Sequence, residues 1–253
     1  PTMPKNSELI YGIHAVESAL KNRPQDVLQV FTQQGRNDNR VKQIVSLAKG
    51  QGVSLQAVSN ERFRERCPGG RHQGVMAELR ASQQQAASLE EILEREQVLL
   101  LILDEVQDPH NIGACLRTAD AIGVDAVIVS KNRSPALTAV SRNVASGAAE
   151  TVPYIMVSNL ARTMEKIQQS GVWVVGTSGD ADQDIYAANL NSKRLALVMG
   201  SEGKGMRRLT RETCDELVSI PMRGTVESLN ISVATAVCLF EIRRQQTLVD
   251  TSD

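Results

Sequence analysis

Aromatic residues make up only 3% of the chain, with a single tryptophan, so aliphatic side chains must fill the core. No apolar run approaches the roughly 18–20 residues a membrane helix needs, which excludes that class of span. The start, PTMPKNSELIYG, lacks a basic stretch followed by a long apolar one, so no secretory signal is expected there. The four cysteines (Cys67, Cys115, Cys214, Cys238) lie far apart, with no C-x-x-C pair. They read as reduced thiols in the cytoplasm, without disulfides or a zinc site. The three histidines (His14, His72, His110) do not space like metal ligands. No glycine-rich loop ends in G-K-[ST] and no G-x-S-x-G elbow occurs, which argues against a P-loop and a serine-hydrolase triad.

What the chain does hold is the balance of a globular protein: 253 residues, 42% hydrophobic and 23% charged. Its net charge of −1 hides an asymmetry. Residues 1–80 carry 12 Lys and Arg against 7 Asp and Glu, and the remainder carries 16 against 22. The densest basic cluster is ERFRERCPGGRHQG, residues 61–74, containing Arg62, Arg64 and Arg66. One aromatic within a basic patch suits phosphate contacts and a stacked base. A solvated helix face has the same composition.

The pattern divides the chain into a unit at 1–80, a linker and leading helix at 81–96, and a larger unit at 97–253. In the first, IYGIHAVESAL has helical apolar spacing and VLQVFTQ reads as a strand. NRVKQIVSLAKGQG reads as a helix ending at glycine, then come the strand VSLQAVS, a short basic helix and the strand GVMAEL. ASQQQAAS, residues 81–88, has neither apolar periodicity nor charge and reads as a linker. The second unit opens with a helix near LEEILERE and the strand VLLLILDEV. Strands are then expected at Ala126–Ser130, Tyr154–Val157, Val172–Thr177, Leu195–Met199 and Leu217–Ile220. These aliphatic runs show little polar alternation, so a parallel sheet covered by helices is expected. Such sheets bind ligands at the carboxyl ends of their strands.

That rule directs attention to the loops after Val106, Met199 and Ile220. In DPHNIGACLR, Asn111 is a plausible N-cap, and Gly113 and Ala114 keep the first turn slim. Arg117 lies six residues beyond Asn111, so it need not share its face. In LALVMGSEGKGM a buried strand runs into three glycines, with Glu202 among them. In IPMRGTVESLNISVATAV, Ser228 and Asn230 precede an uncharged helical run. Either they only start the helix, or they line a site that its start helps to build.

Taken together, NIGACLR, MGSEGKGM and IPMRGTVESLNISVAT resemble the three ordered motifs of the SpoU-type RNA 2′-O-methyltransferases, within the SPOUT class. The resemblance covers about residues 98–245. IYGIHAVESAL and HQGVMAE further resemble the bacterial subfamily that methylates a guanosine 2′-hydroxyl in 23S ribosomal RNA. The resemblance implies a knotted parallel-sheet α/β catalytic domain, preceded by a small L30e-like α/β RNA-binding domain. It implies S-adenosylmethionine as cofactor, a homodimer packed through the knot, and no metal. Gly200, Ile220 and Leu229 match cofactor-contact positions, with Thr177, Met199 and Met222 as neighbours. Asn111, Arg117, Glu202, Ser228 and Asn230 match the polar catalytic site. Family mechanisms cast the arginine as base, but its pKa above about 12 favours phosphate binding and alkoxide stabilisation. Glu202 is then the proton acceptor or an orienting group. Two rival expectations are methylation of transfer RNA and a ribosome-associated RNA-binding protein without catalysis.

Overall fold

The computed structural model describes residues 7–36, 38–67, 72–80 and 87–250. Contacts divide the chain into two compact units, Pro1–Ala86 with Leu137–Thr151, and Ala87–Ala136 with Val152–Asp253. Positions 68–71 of the basic cluster and 81–86 of the expected linker lie outside the described residues.

The N-terminal segment of the first unit runs β1 (Ser7–Tyr11), α1 (Ile13–Asn22), β2 (Val27–Gln33), α2 (Asn39–Gly50), β3 (Ser54–Val58), α3 (Asn60–Arg66) and β4 (Val75–Arg80). The sheet order is β1-β4-β2-β3, with β4 antiparallel to both neighbours and β2 parallel to β3. One cluster joins Val30, Ala77 and Leu79 to Val16 and Leu20 of α1 and Ile44 of α2. A second joins Tyr11, Phe31 and Met76 to Phe63 of α3. Successive strand residues face opposite sides, so Val30 and Phe31 serve different clusters.

The helix expected over IYGIHAVESAL begins only at Ile13, because Ile10 and Tyr11 belong to β1 and pair with Ala77 and Met76. Gly12 turns the chain with a positive φ of 95°, a conformation that favours glycine. Ile10 happens to fall three residues before Ile13, which mimics a helical repeat.

The second unit contains α4 (Leu89–Leu93), β5 (Val98–Asp104), α5 (Pro109–Ile122) and β6 (Ala126–Ser130). The chain then forms α6 (Ala139–Val144), grouped with the first unit. It returns to the second unit as β7 (Tyr154–Val157), α7 (Leu160–Gln169), β8 (Trp173–Thr177), β9 (Gln183–Asp184), β10 (Arg194–Gly200), α8 (Arg208–Thr213), β11 (Glu216–Ser219) and α9 (Ile231–Asp250). In the first unit, Arg142 of α6 pairs with Glu8 at 2.9 Å and Glu150 at 2.9 Å, and Arg23 also pairs with both acids. The Glu150 side chain is 2% exposed, so burial without these partners would be strongly unfavourable.

The seven-stranded sheet has the order β7-β6-β5-β10-β8-β11-β9, and every pairing is parallel. All residues of β5 and β6 are buried, whereas the edge strand β7 is half-buried. Val98, Leu100 and Ile102 pack with Ile92 of α4 and Met164 of α7. Leu99, Leu101 and Leu103 are buried on the opposite face. After β11 an irregular segment leads to α9, which packs on α5 and β10. Arg243 of α9 donates to the carbonyls of Ile122 and Gly123, which end α5. A cation there also complements the helix dipole.

Candidate active site

The carboxyl ends of β5, β10, β8 and β11 meet the N-terminus of α9. Ser201 and Gly205 exchange two backbone hydrogen bonds of 3.1 and 2.9 Å, closing a tight loop with Glu202 at its tip. Gly203 and Gly205 have φ of 76° and 65°. At Gly200 even a Cβ would lie 2.1 Å from the Gly205 carbonyl carbon, so no side chain fits there.

The Glu202 carboxylate is held on one oxygen. Its Oε1 accepts from Asn230 Nδ2, from the Ile231 backbone N–H at 3.0 Å and from Asn111 Nδ2 at 3.5 Å. Asn230 Nδ2 also donates to Asn111 Oδ1 at 3.0 Å, and Asn230 Oδ1 accepts from the Ser232 N–H at 2.9 Å. Asn230 therefore starts α9 and joins the polar cluster at once; the two readings of this stretch are not exclusive. Asn111 is not the N-cap expected: Asp108 accepts from the His110 N–H, Pro109 opens α5, and Asn111 sits in its first turn. Proline suits that opening position because its missing N–H would have no helical partner.

A cavity of about 460 Å³ lies beside this cluster. Thr177, Met199, Gly200, Ile220, Met222 and Leu229 all line it, as do Glu202 and Ser228. A second cavity of about 340 Å³ is lined by Glu105, Asp108 and Asn111, and it shares Ser201, Glu202, Lys204 and Ile231 with the first. Glu202 thus stands in the wall between two cavities. Arg117 lines neither; it is exposed on α5, its side chain without a hydrogen bond or ion pair among the described residues. Ser228 reaches the first cavity without bonding to the cluster.

Sequence reasoning missed two supporting ion pairs. Asp104, fully buried at the end of β5, accepts from the Arg207 backbone N–H at 2.9 Å and from its Nε at 2.8 Å, and forms an ion pair with its Nη2 at 2.7 Å. This ties the end of the glycine loop to the sheet. Arg211 and Asp180 pair at the wall of the first cavity. The one available signal was the acid closing LILD, an aliphatic strand, since the partners lie far away in sequence. Among the described residues no group of His, Cys, Asp and Glu is arranged to hold a metal, and no helix is long and apolar enough to cross a membrane.

In the first unit, α3 carries Arg62, Arg64 and Arg66. Arg66 lies over the Phe31 ring at 5.2 Å, so it is partly committed to packing, whereas Arg64 is exposed.

Known proteins resemble this chain over most of its length. The model of the SpoU rRNA Methylase family matches residues 98–240, and that for RNA 2′-O ribose methyltransferase substrate binding matches residues 9–85. The 23S rRNA (guanosine-2′-O-)-methyltransferase RlmB of Yersinia pestis is 52% identical over 244 residues, covering 96% of this chain and 99% of that protein. Its counterpart in Escherichia coli (strain K12) is 51% identical over 243 residues, covering 95% and 100%. Among solved structures, an RNA 2′-O ribose methyltransferase aligns with a TM-score of 0.82 at 25% identity, covering 96% of this chain and 90% of that one. The SpoU methyltransferase AviRb from Streptomyces viridochromogenes, in complex with AdoMet, shares the fold at a TM-score of 0.79 and 23% identity, covering 96% and 92%. From its motifs, its fold and these matches, the chain belongs to the SpoU rRNA methylase family.

Proposed function

We propose that this chain transfers a methyl group from S-adenosylmethionine to the ribose 2′-hydroxyl of a guanosine in 23S ribosomal RNA. Relatives bearing that name are about half identical over nearly the whole chain. The observation that carries the reading is Glu202, fixed in the wall between two cavities at the carboxyl edge of a parallel sheet. Two reactants held on either side of one carboxylate suit a direct group transfer.

The first cavity fits the cofactor by its chemistry. Met199, Ile220, Met222 and Leu229 offer apolar surface for a nucleoside and the methylenes of an amino-acid chain, and Thr177, Ser228 and backbone groups offer polar contacts. The missing side chain at Gly200 lets a ligand approach the backbone. Bound S-adenosylmethionine supplies an electrophilic methyl and a sulfide leaving group.

The chain's own residues position the acceptor and manage its proton. Glu202 Oε1 is committed to Asn111, Asn230 and the start of α9. Its Oε2 is left to accept the hydroxyl proton. Asn111 and Asn230 act through Glu202, holding its orientation, while Ser228 contributes a hydroxyl to the cofactor side. Arg117, exposed on α5 outside both cavities, binds an RNA phosphate.

Residues 1–80 hold the RNA and 97–253 carry out the chemistry, joined through 81–96. The basic excess of the N-terminal segment supports that division. The working form is a homodimer in the cytoplasm. Its support is the apolar stripe Val233, Ala236, Val237 and Phe240 on α9, with Val233 and Phe240 about half exposed. The test is incubation with unmodified 23S ribosomal RNA and methyl-labelled cofactor. Expected is one ribose-methylated guanosine; a methyl on a base, or none on the 23S ribosomal RNA, would refute the reading.

A further inference from the structure

We propose that Asp180, held by Arg211 and Ser178, anchors the ribose hydroxyls of the nucleoside in the first cavity. The inference rests on that cavity being the S-adenosylmethionine site, and it assigns a role to a pair outside the three motifs. Ser178, Gly179 and Asp180 follow β8, and Arg211 belongs to α8; all four line the first cavity and none lines the second. Arg211 Nη1 donates to Ser178 Oγ at 3.0 Å and to both Asp180 oxygens at 2.8 and 3.1 Å. Ser178 Oγ donates to Asp180 Oδ1. The carboxylate is therefore oriented before any ligand arrives, which lowers the entropy lost on binding. The Arg211 and Ser178 hydrogen bonds hold its acid well below the usual carboxylate range, at about 2, so it accepts hydrogen bonds at every working pH.

Placement separates this pair from the reacting centre. The sheet order is β5-β10-β8, so the loop after β8 lies one strand spacing, about 5 Å, from the Glu202 loop after β10 and two, about 10 Å, from the loop after β5 that carries Asn111. Asp180 thus faces one extremity of a bound ligand rather than its methyl. The other extremity borders Ile231 and Ala234, in the first turn of the 20-residue α9. Glu202 and Asn230 already take the Ile231 and Ser232 N–H groups, so what remains there to favour the carboxylate of an amino-acid group is the helix dipole. The nucleoside then falls toward β8, where vicinal hydroxyls meet an ionised carboxylate with free lone pairs. Charge-assisted hydrogen bonds of that kind are among the stronger polar contacts.

The test is calorimetric binding of three ligands to the full-length protein: S-adenosylhomocysteine, 5′-methylthioadenosine, and the 2′,3′-dideoxy analogue of the latter. Asp180→Asn should weaken the first two by about tenfold, the scale of one good hydrogen bond. The dideoxy analogue should bind wild type and variant alike. Arg211→Gln, which frees the carboxylate, should show the same ligand pattern with a smaller loss. A loss confined to S-adenosylhomocysteine would place Asp180 at the amino-acid end and overturn the proposal. So would an equal loss for the hydroxylated and dideoxy ligands, or no loss at all. If wild type bound none of the adenosine ligands, the cofactor reading itself would fail, and this inference with it.

Discussion

Asp104→Asn should destabilise the second unit by about 3 kcal/mol, the low end of the 3–5 kcal/mol typical of breaking a buried ion pair. Asp104 is fully buried, takes two hydrogen bonds from Arg207, one of them from the guanidinium, and pairs with its charge at 2.7 Å. Asparagine keeps the shape but turns one acceptor oxygen into a donor that faces another donor. The low end applies because the Arg207 side chain is 35% exposed, so water can partly rehydrate its charge. Arg207 also ends the segment that carries Gly200, Glu202 and Gly205, so loosening it should weaken adenosine-ligand binding as well. Urea unfolding followed by tryptophan fluorescence reads this directly, because the chain's one tryptophan, Trp173, lies in the second unit. Arg207→Met should partly rescue Asp104→Asn, making the double variant more stable than additivity predicts. An unchanged urea midpoint for Asp104→Asn, or strict additivity in the pair, would refute the pinning role.

Four further outcomes follow from the same geometry. Gly200→Ala should abolish adenosine-ligand binding in calorimetry, because its Cβ would overlap the backbone of Gly205 and Met206. Asn230→Ala should lower stability by about 0.5–2 kcal/mol as a lost cap, and single-turnover rate by more than the folded fraction accounts for, since Glu202 loses a donor. Phe240→Asp should shift the protein from dimer to monomer in light scattering; an unchanged mass would remove α9 from the interface. Burial pushes the thiols of Cys67 and Cys115 up to about 11 and those of Cys214 and Cys238 to about 12. A raised pKa means less thiolate, about 0.1% or below at pH 8, so alkylation should be slow in the native protein and rapid in urea.

The sheet of the second unit was legible because β5 and β6 are buried on both faces and so contain no polar alternation to confuse the reading. β1 was not, because Ile10 and Tyr11 extend the apolar spacing of α1 across Gly12; only the positive φ there separates the two elements. Asp108 was passed over as the cap in favour of Asn111, although Pro109 marked the helix start. All six expected cofactor neighbours line one cavity, yet their ordered spacing gained meaning only through resemblance to a family, as did the expected knot. Of Asp104–Arg207 and Asp180–Arg211 only the acid closing LILD left a local trace, because each pair is joined by tertiary structure across a long stretch of sequence.

RNA binding gives a separate check on the N-terminal unit. Arg62→Gln with Arg64→Gln should reduce the salt slope of RNA affinity by about 1 for each phosphate that is no longer neutralised. Arg66 is left in place because it packs over Phe31.

The most direct measurement is single-turnover transfer from methyl-labelled S-adenosylmethionine to unmodified 23S ribosomal RNA, with the product mapped to the nucleotide and the atom. Wild type should place one methyl on a guanosine 2′-oxygen, and Glu202→Gln should still bind cofactor but transfer it at least tenfold more slowly, about 1.4 kcal/mol or more in the barrier. A Glu202→Gln variant that binds cofactor and methylates at the wild-type rate would contradict the role assigned to the wall between the two cavities.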